Sequence, residues 1–106
     1  MLHAGKFGFH FQTFELIDYD PSRFVKFLLY SEDGDMGFPG RLTLEVTYTL
    51  TEKNTLAISY SASTNMPTPI NLSNHSYWCP SGDPSHPITD DNLTIYSKAI
   101  TPLECK

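Results

Sequence analysis

The chain has 106 residues, of which 40% are hydrophobic and 18% charged, with a formal net charge of −5. That length allows one domain with a modest core, and the balance is that of a folded chain, not a disordered one. With no cluster of Lys or Arg to offset the acidic charge, a nucleic acid or an anionic membrane surface is not expected as a partner.

No apolar run approaches the ~20 residues that cross a bilayer, and the opening Met1-Leu2-His3-Ala4-Gly5-Lys6 lacks the apolar core of a signal peptide. Cys79 and Cys105 are too few to staple a secreted fold and match no zinc spacing, so reduced thiols and a cytoplasmic location are expected. Sequons at Asn71, Asn74 and Asn92 are then read as chance occurrences.

Turn signals are frequent along the chain and helix signals scarce. Residues 9–17, aromatic-rich with loose alternation, are expected to form a strand, and Asp18-Tyr19-Asp20-Pro21-Ser22 a turn. Phe7, Phe9, Phe11 and Phe14 are read as core. Residues 23–30 are short, apolar and bounded by turns, which favours a buried strand. Residues 31–40 hold Gly34, Gly37, Gly40 and Pro39 and predict an ordered loop. Calcium is not expected there, because the EF-hand spacing and its closing Glu are absent.

The clearest element is Leu42, Leu44, Val46, Tyr48 and Leu50 alternating with Thr43, Glu45, Thr47 and Thr49. After Thr51–Thr55 the alternation resumes through Leu56, Ile58, Tyr60 and Ala62, which predicts an antiparallel hairpin with one buried face. Pro67 and Pro69 keep the next segment at a sheet edge or entry. Residues 79–87 are loop, and 92–97 are expected to form a last strand. No internal repeat is evident. The expected architecture is all-β, an antiparallel meander forming part of a sandwich.

The run Asn74-His75-Ser76-Tyr77-Trp78 departs from this generic pattern, with an amide, an imidazole, a hydroxyl, a phenol and an indole in succession. Imidazole is the side chain whose ordinary pKa, about 6.5, allows proton transfer in both directions near neutrality. A flat aromatic beside hydrogen-bonding groups suits a sugar ring, which has apolar faces and a polar rim. The plainer alternative is a polar strand end with a satisfied histidine.

Several blocks, taken in order, resemble the aldose 1-epimerase (galactose mutarotase) family. Leu2-His3-Ala4-Gly5 through Phe9 is similar to its Leu-His-Gly-Gly segment and Gly-Phe. Residues 33–40 resemble its Asp-Gly-x-x-Gly-Phe/Tyr-Pro-Gly loop, with the Val46–Leu50 strand following at the matching place. Thr68-Pro69-Ile70-Asn71-Leu72-Ser73-Asn74-His75-Ser76-Tyr77 resembles Thr-Pro-Val-Asn-Leu-Thr-Asn-His-Ser-Tyr, the most specific match. Leu93-Thr94-Ile95 and Thr101-Pro102 resemble the strand and turn that come next. The likeness spans nearly the whole chain, so residues 1–106 are expected to be a central part of a mutarotase-like β-sandwich domain, the supersandwich type.

The resemblance implies an enzyme that interconverts the α and β anomers of aldoses such as galactose and glucose, without metal or cofactor. His75 matches the family's proton donor to the ring oxygen, Ser76 and Tyr77 its sugar-contacting neighbours, and His3 a histidine that binds a sugar hydroxyl. The family's Asn-Arg pair is expected before position 1, and its Asp, Gln and catalytic Glu after position 106. Ala4 for Gly, His10 for Asp and Trp78-Cys79-Pro80 for Phe-Asn-Leu depart from the pattern.

Two alternatives stay open: a non-catalytic carbohydrate-binding remnant, and an inert fragment of the fold. Self-association through exposed sheet edges is expected of a partial sandwich. The four histidines share no spacing with a third metal ligand, and no Gly-x-Ser-x-Gly elbow accompanies His75.

Overall fold

A computed structural model describes residues 5–100. Two compact units divide the chain, one ending at Ser73 and the other starting at Asn74. The first holds four strands: β1 (Glu15–Asp20), β2 (Phe24–Ser31), β3 (Leu42–Leu50) and β4 (Leu56–Thr64). They form one sheet in the order β1-β2-β3-β4, each pair antiparallel. This is the all-β meander that the alternation predicts.

Register shows how that alternation becomes two faces. Leu44 lies opposite Leu29 and Ala62, Val46 opposite Phe27 and Tyr60, and Tyr48 opposite Val25 and Ile58. Directly paired residues share a face, so these side chains make one apolar surface. The other face carries Lys26, Glu45 and Ser61, with Lys26 and Glu45 in a 3.9 Å ion pair. Leu29, Leu42, Leu44 and Val46 are the buried core, with Phe9, Phe14, Tyr48, Ile58 and Leu72 packed against it. Leu44 is 2% exposed, and enclosing such a side chain contributes about 1.5–3 kcal/mol. On the same face, Leu16 and Tyr19 of the outer strand and Leu50 and Leu56 at the hairpin end remain exposed. Partial desolvation, with Tyr48 alongside, raises the Tyr60 phenol above its ordinary range.

The connections follow their turn residues. Pro21, Ser22 and Arg23 close the first hairpin, where the Arg23 N–H donates to the Asp20 carbonyl at 3.0 Å. The second hairpin turns through Asn54 at φ +54, with the Thr51 N–H donating to the Thr55 carbonyl at 2.9 Å. The glycine loop between β2 and β3 is ordered as expected. Gly40 lies at φ +82, and its N–H donates to Asp33 Oδ1 at 2.6 Å.

Four expectations need correction. Phe9–Phe11 is a short 3-10 turn and the strand begins at Glu15. There the Phe11 and Gln12 N–H groups donate to the Gly8 and Phe9 carbonyls, i→i+3 bonds that a loose aromatic alternation does not reveal. Asp18 and Tyr19 belong to the β1 ladder, so the turn is shorter than predicted. Phe9 and Phe14 pack on the core, but Phe7 and Phe11 are 53% and 70% exposed.

Residues 92–97 form no strand; Leu93 and Ile95 are exposed, and their alternation joins no ladder among the described residues. A period-two pattern becomes a strand only where a neighbouring edge supplies hydrogen bonds. No described helix is long and apolar enough to cross a membrane.

Candidate functional site

The sheet ends at Thr64, and residues 65–73 carry no regular structure. Pro67 and Pro69 have no N–H to give a ladder, which explains why the strand-like residues 68–72 add no fifth strand. Leu72 still packs on the core. Thr68 Oγ1 is buried with no hydrogen-bond partner.

The candidate residues follow in the second unit. Asn74 Oδ1 accepts the Ser76 backbone N–H at 3.0 Å and also the Ser76 hydroxyl. Such a side-chain-to-backbone bond mimics a turn and fixes the residue between its ends. That residue is His75. Its ring centroid lies 5.2 Å from that of Tyr77, with 33° between the planes. Tyr77 is 92% exposed and Trp78 68%, and His75 is exposed as well.

Among the described residues the same local device occurs twice more. Asp20 Oδ1 accepts the Ser22 N–H and hydroxyl at 2.8 and 2.7 Å, and Asp83 Oδ1 accepts those of Ser85 at 2.9 and 2.7 Å. In both, the serine hydroxyl first and its N–H second hold the carboxyl below the usual carboxylate range. At Asn74 the acceptor is neutral, so the turn forms without placing a fixed charge beside the histidine. Asn74 is the shaping residue that sequence reasoning passed over as a hydrogen-bonding group. The spacing Asn/Asp-x-Ser was the available signal.

Chemically, the turn presents a proton-exchanging ring, a hydroxyl and two aromatic faces on five consecutive residues. Because the Ser76 hydroxyl hydrogen is given to Asn74, what Ser76 offers a ligand is its acceptor lone pairs. His75, Ser76 and Tyr77 are thus brought together; His3 lies outside the described residues. Among the described residues no three or more His, Cys, Asp or Glu side chains group to hold a metal ion. Glu52 is paired with Arg23 at 3.3 Å and Glu45 with Lys26, both on the hairpin.

Comparison with known proteins bears on this arrangement. The aldose 1-epimerase family model matches residues 1–106. Aldose 1-epimerase of Escherichia coli is 36% identical over 103 residues. Galactose mutarotases of Rattus norvegicus and Homo sapiens are 38% and 37% identical over 106 residues. Each alignment takes in 97% of this chain and 29% of the relative, so the chain spans under a third of their length. A crystal structure of an aldose epimerase homologue from C. elegans superposes with a TM-score of 0.58 at 31% identity, covering 63% of this chain and 20% of that one.

Proposed function

Because the chain belongs to the aldose 1-epimerase family, we propose that it carries the proton-donating side of a site interconverting the α and β anomers of aldoses such as galactose and glucose. The observation that carries this reading is the Asn74-braced turn, which exposes His75 next to Tyr77. His75 delivers a proton to the ring oxygen as the bond from that oxygen to the anomeric carbon breaks. A carboxylate takes the proton of the anomeric hydroxyl, whose oxygen becomes the carbonyl. Rotation about the adjacent carbon–carbon bond and reversal of both transfers close the other anomer. Positioned acid and base groups each contribute typically ~10²–10⁴ in rate.

Ser76 accepts a sugar hydroxyl, Tyr77 contacts the ring, and His3 binds a further hydroxyl. By the family resemblance the carboxylate is expected beyond position 106, while Glu45 and Glu52 sit in exposed ion pairs on the hairpin. No metal or cofactor takes part. The protein works in the cytosol, where the exposed Cys79 thiol stays reduced.

A second reading is a carbohydrate-binding remnant without turnover, favoured by the exposure of Tyr77 and Trp78 as a stacking surface. Polarimetry on freshly dissolved α-galactose separates the two, using a chain extended to the length of its relatives. His75→Asn should abolish enzymatic anomer exchange with the fold intact; an unchanged rate removes His75 from the mechanism. His3→Ala should slow exchange without abolishing it.

A further inference from the structure

Met36 occupies a backbone position that ordinarily goes to glycine. Its φ is +50, between Gly34 at +83 and Gly37 at +85. A non-glycine residue there is strained, and a glycine would remove the strain. What the Met36 side chain touches supplies a reason for its presence. The Phe7 N–H donates to Met36 Sδ at 3.3 Å, bridging 29 positions of sequence. Gly5, itself at φ +107, lies so close that a Cβ on it would be 2.8 Å from the same sulfur.

The loop beneath the thioether is held by its own bonds. The Gly34 N–H donates to the Phe38 carbonyl and the Gly37 N–H to the Gly34 carbonyl, both at 2.9 Å. The Ser31 hydroxyl donates to Asp35 Oδ2 at 2.9 Å. Met36 therefore projects from a braced loop onto a segment with no ladder of its own.

We propose that Met36 is a positioning residue, whose thioether anchors Gly5–Phe7, the segment that follows His3 in the sequence, to the glycine loop. The anchor stands on these contacts; its consequence for sugar binding rests on the reading above.

Residue-resolved amide exchange on the 106-residue chain tests the anchor. Met36→Gly suits the positive φ and deletes the side chain, so it should keep the sheet. Exchange at Phe7 should then rise by about tenfold while the β3 amides stay unchanged. Met36→Leu, which keeps bulk without the sulfur acceptor, should accelerate Phe7 less than Met36→Gly does. Equal Phe7 exchange in wild type and Met36→Gly overturns the anchor, as does equal acceleration at Phe7 and throughout β3. A galactose titration followed by NMR, on the chain extended to the length of its relatives, then separates the two layers. Galactose affinity lowered several-fold in Met36→Gly supports the positioning role, and unchanged affinity overturns it. No galactose response in wild type, with Phe7 protection still following Met36, overturns the sugar reading and leaves the anchor.

Discussion

Asn74 accepts the backbone N–H of Ser76 at 3.0 Å, and the residue enclosed by that bond is His75. A neutral acceptor thus shapes the turn that presents the imidazole. Asn74→Ala should raise amide exchange at Ser76 by about tenfold, since its acceptor is gone. The residue is exposed, so stability should change by less than ~0.5 kcal/mol. Asn74→Asp should keep the turn and its Ser76 protection. Unaltered Ser76 exchange in Asn74→Ala would mean the turn is held by something else.

Gly40 joins the glycine loop to the end of β4. At φ +82 an added Cβ would sit 2.8 Å from Met66 Cβ and 2.9 Å from Thr64 Oγ1. Gly40→Ala is therefore expected to lower unfolding free energy by about 1–3 kcal/mol. Urea titration of circular dichroism reads this directly. Gly37→Ala, which meets open space but has a similar φ, should cost less.

The Asp20 carboxyl is held below its usual range by Ser22. A carboxylate whose pKa is lower folded than unfolded adds stability above the unfolded value, near ~3.9, and loses it as pH falls through the folded value. Asp20 ends β1 and its bonds to Ser22 are exposed, so the contribution is small, but the titration itself is measurable. Carbon-detected NMR should find the Asp20 midpoint below that of an ordinary aspartate, and Ser22→Ala should bring it back up. A midpoint that ignores Ser22→Ala contradicts the assignment of cause.

The sheet has two outer strands of unlike chemistry. β1 carries Glu15, Asp18 and Asp20, while β4, reading Leu-Ala-Ile-Ser-Tyr-Ser-Ala-Ser-Thr, carries no charge. Charge on an edge discourages pairing with another chain, so self-association should run through β4. Ser61→Lys faces Glu45 within the chain and places like charges together in a symmetric β4 pair. Sedimentation velocity across concentrations should show association in wild type and its loss in Ser61→Lys. Association that persists in the variant points to the open apolar face around Leu16 and Leu56 instead.

The strands β2, β3 and β4 were legible because their signal is local. Leu42–Leu50 alternates so regularly that the predicted bounds match the ladder. The aromatic run from Phe9 misled because Phe side chains suit a strand, a turn or a core equally, and backbone bonds decide among them. Leu93 and Ile95 misled for the complementary reason, since alternation says nothing of whether a partner edge is available. At the site, His75, Ser76 and Tyr77 were singled out by residue chemistry and resemblance. Asn74, acting through an acceptor two residues from its donor, was signalled only by the Asn-x-Ser spacing.

Sequence by itself determined the meander, the places of its turns and the family, because period-two patterning, Gly and Pro positions and ordered motifs are written in short windows. Tertiary structure alone decided that Met36 meets Phe7, that Asn65 Oδ1 receives the Arg41 N–H at 2.7 Å across 24 positions, and that Leu44 is enclosed while Leu16 is not. Those outcomes depend on which distant segments meet when the sheet closes, and each partner's own window is silent about the other.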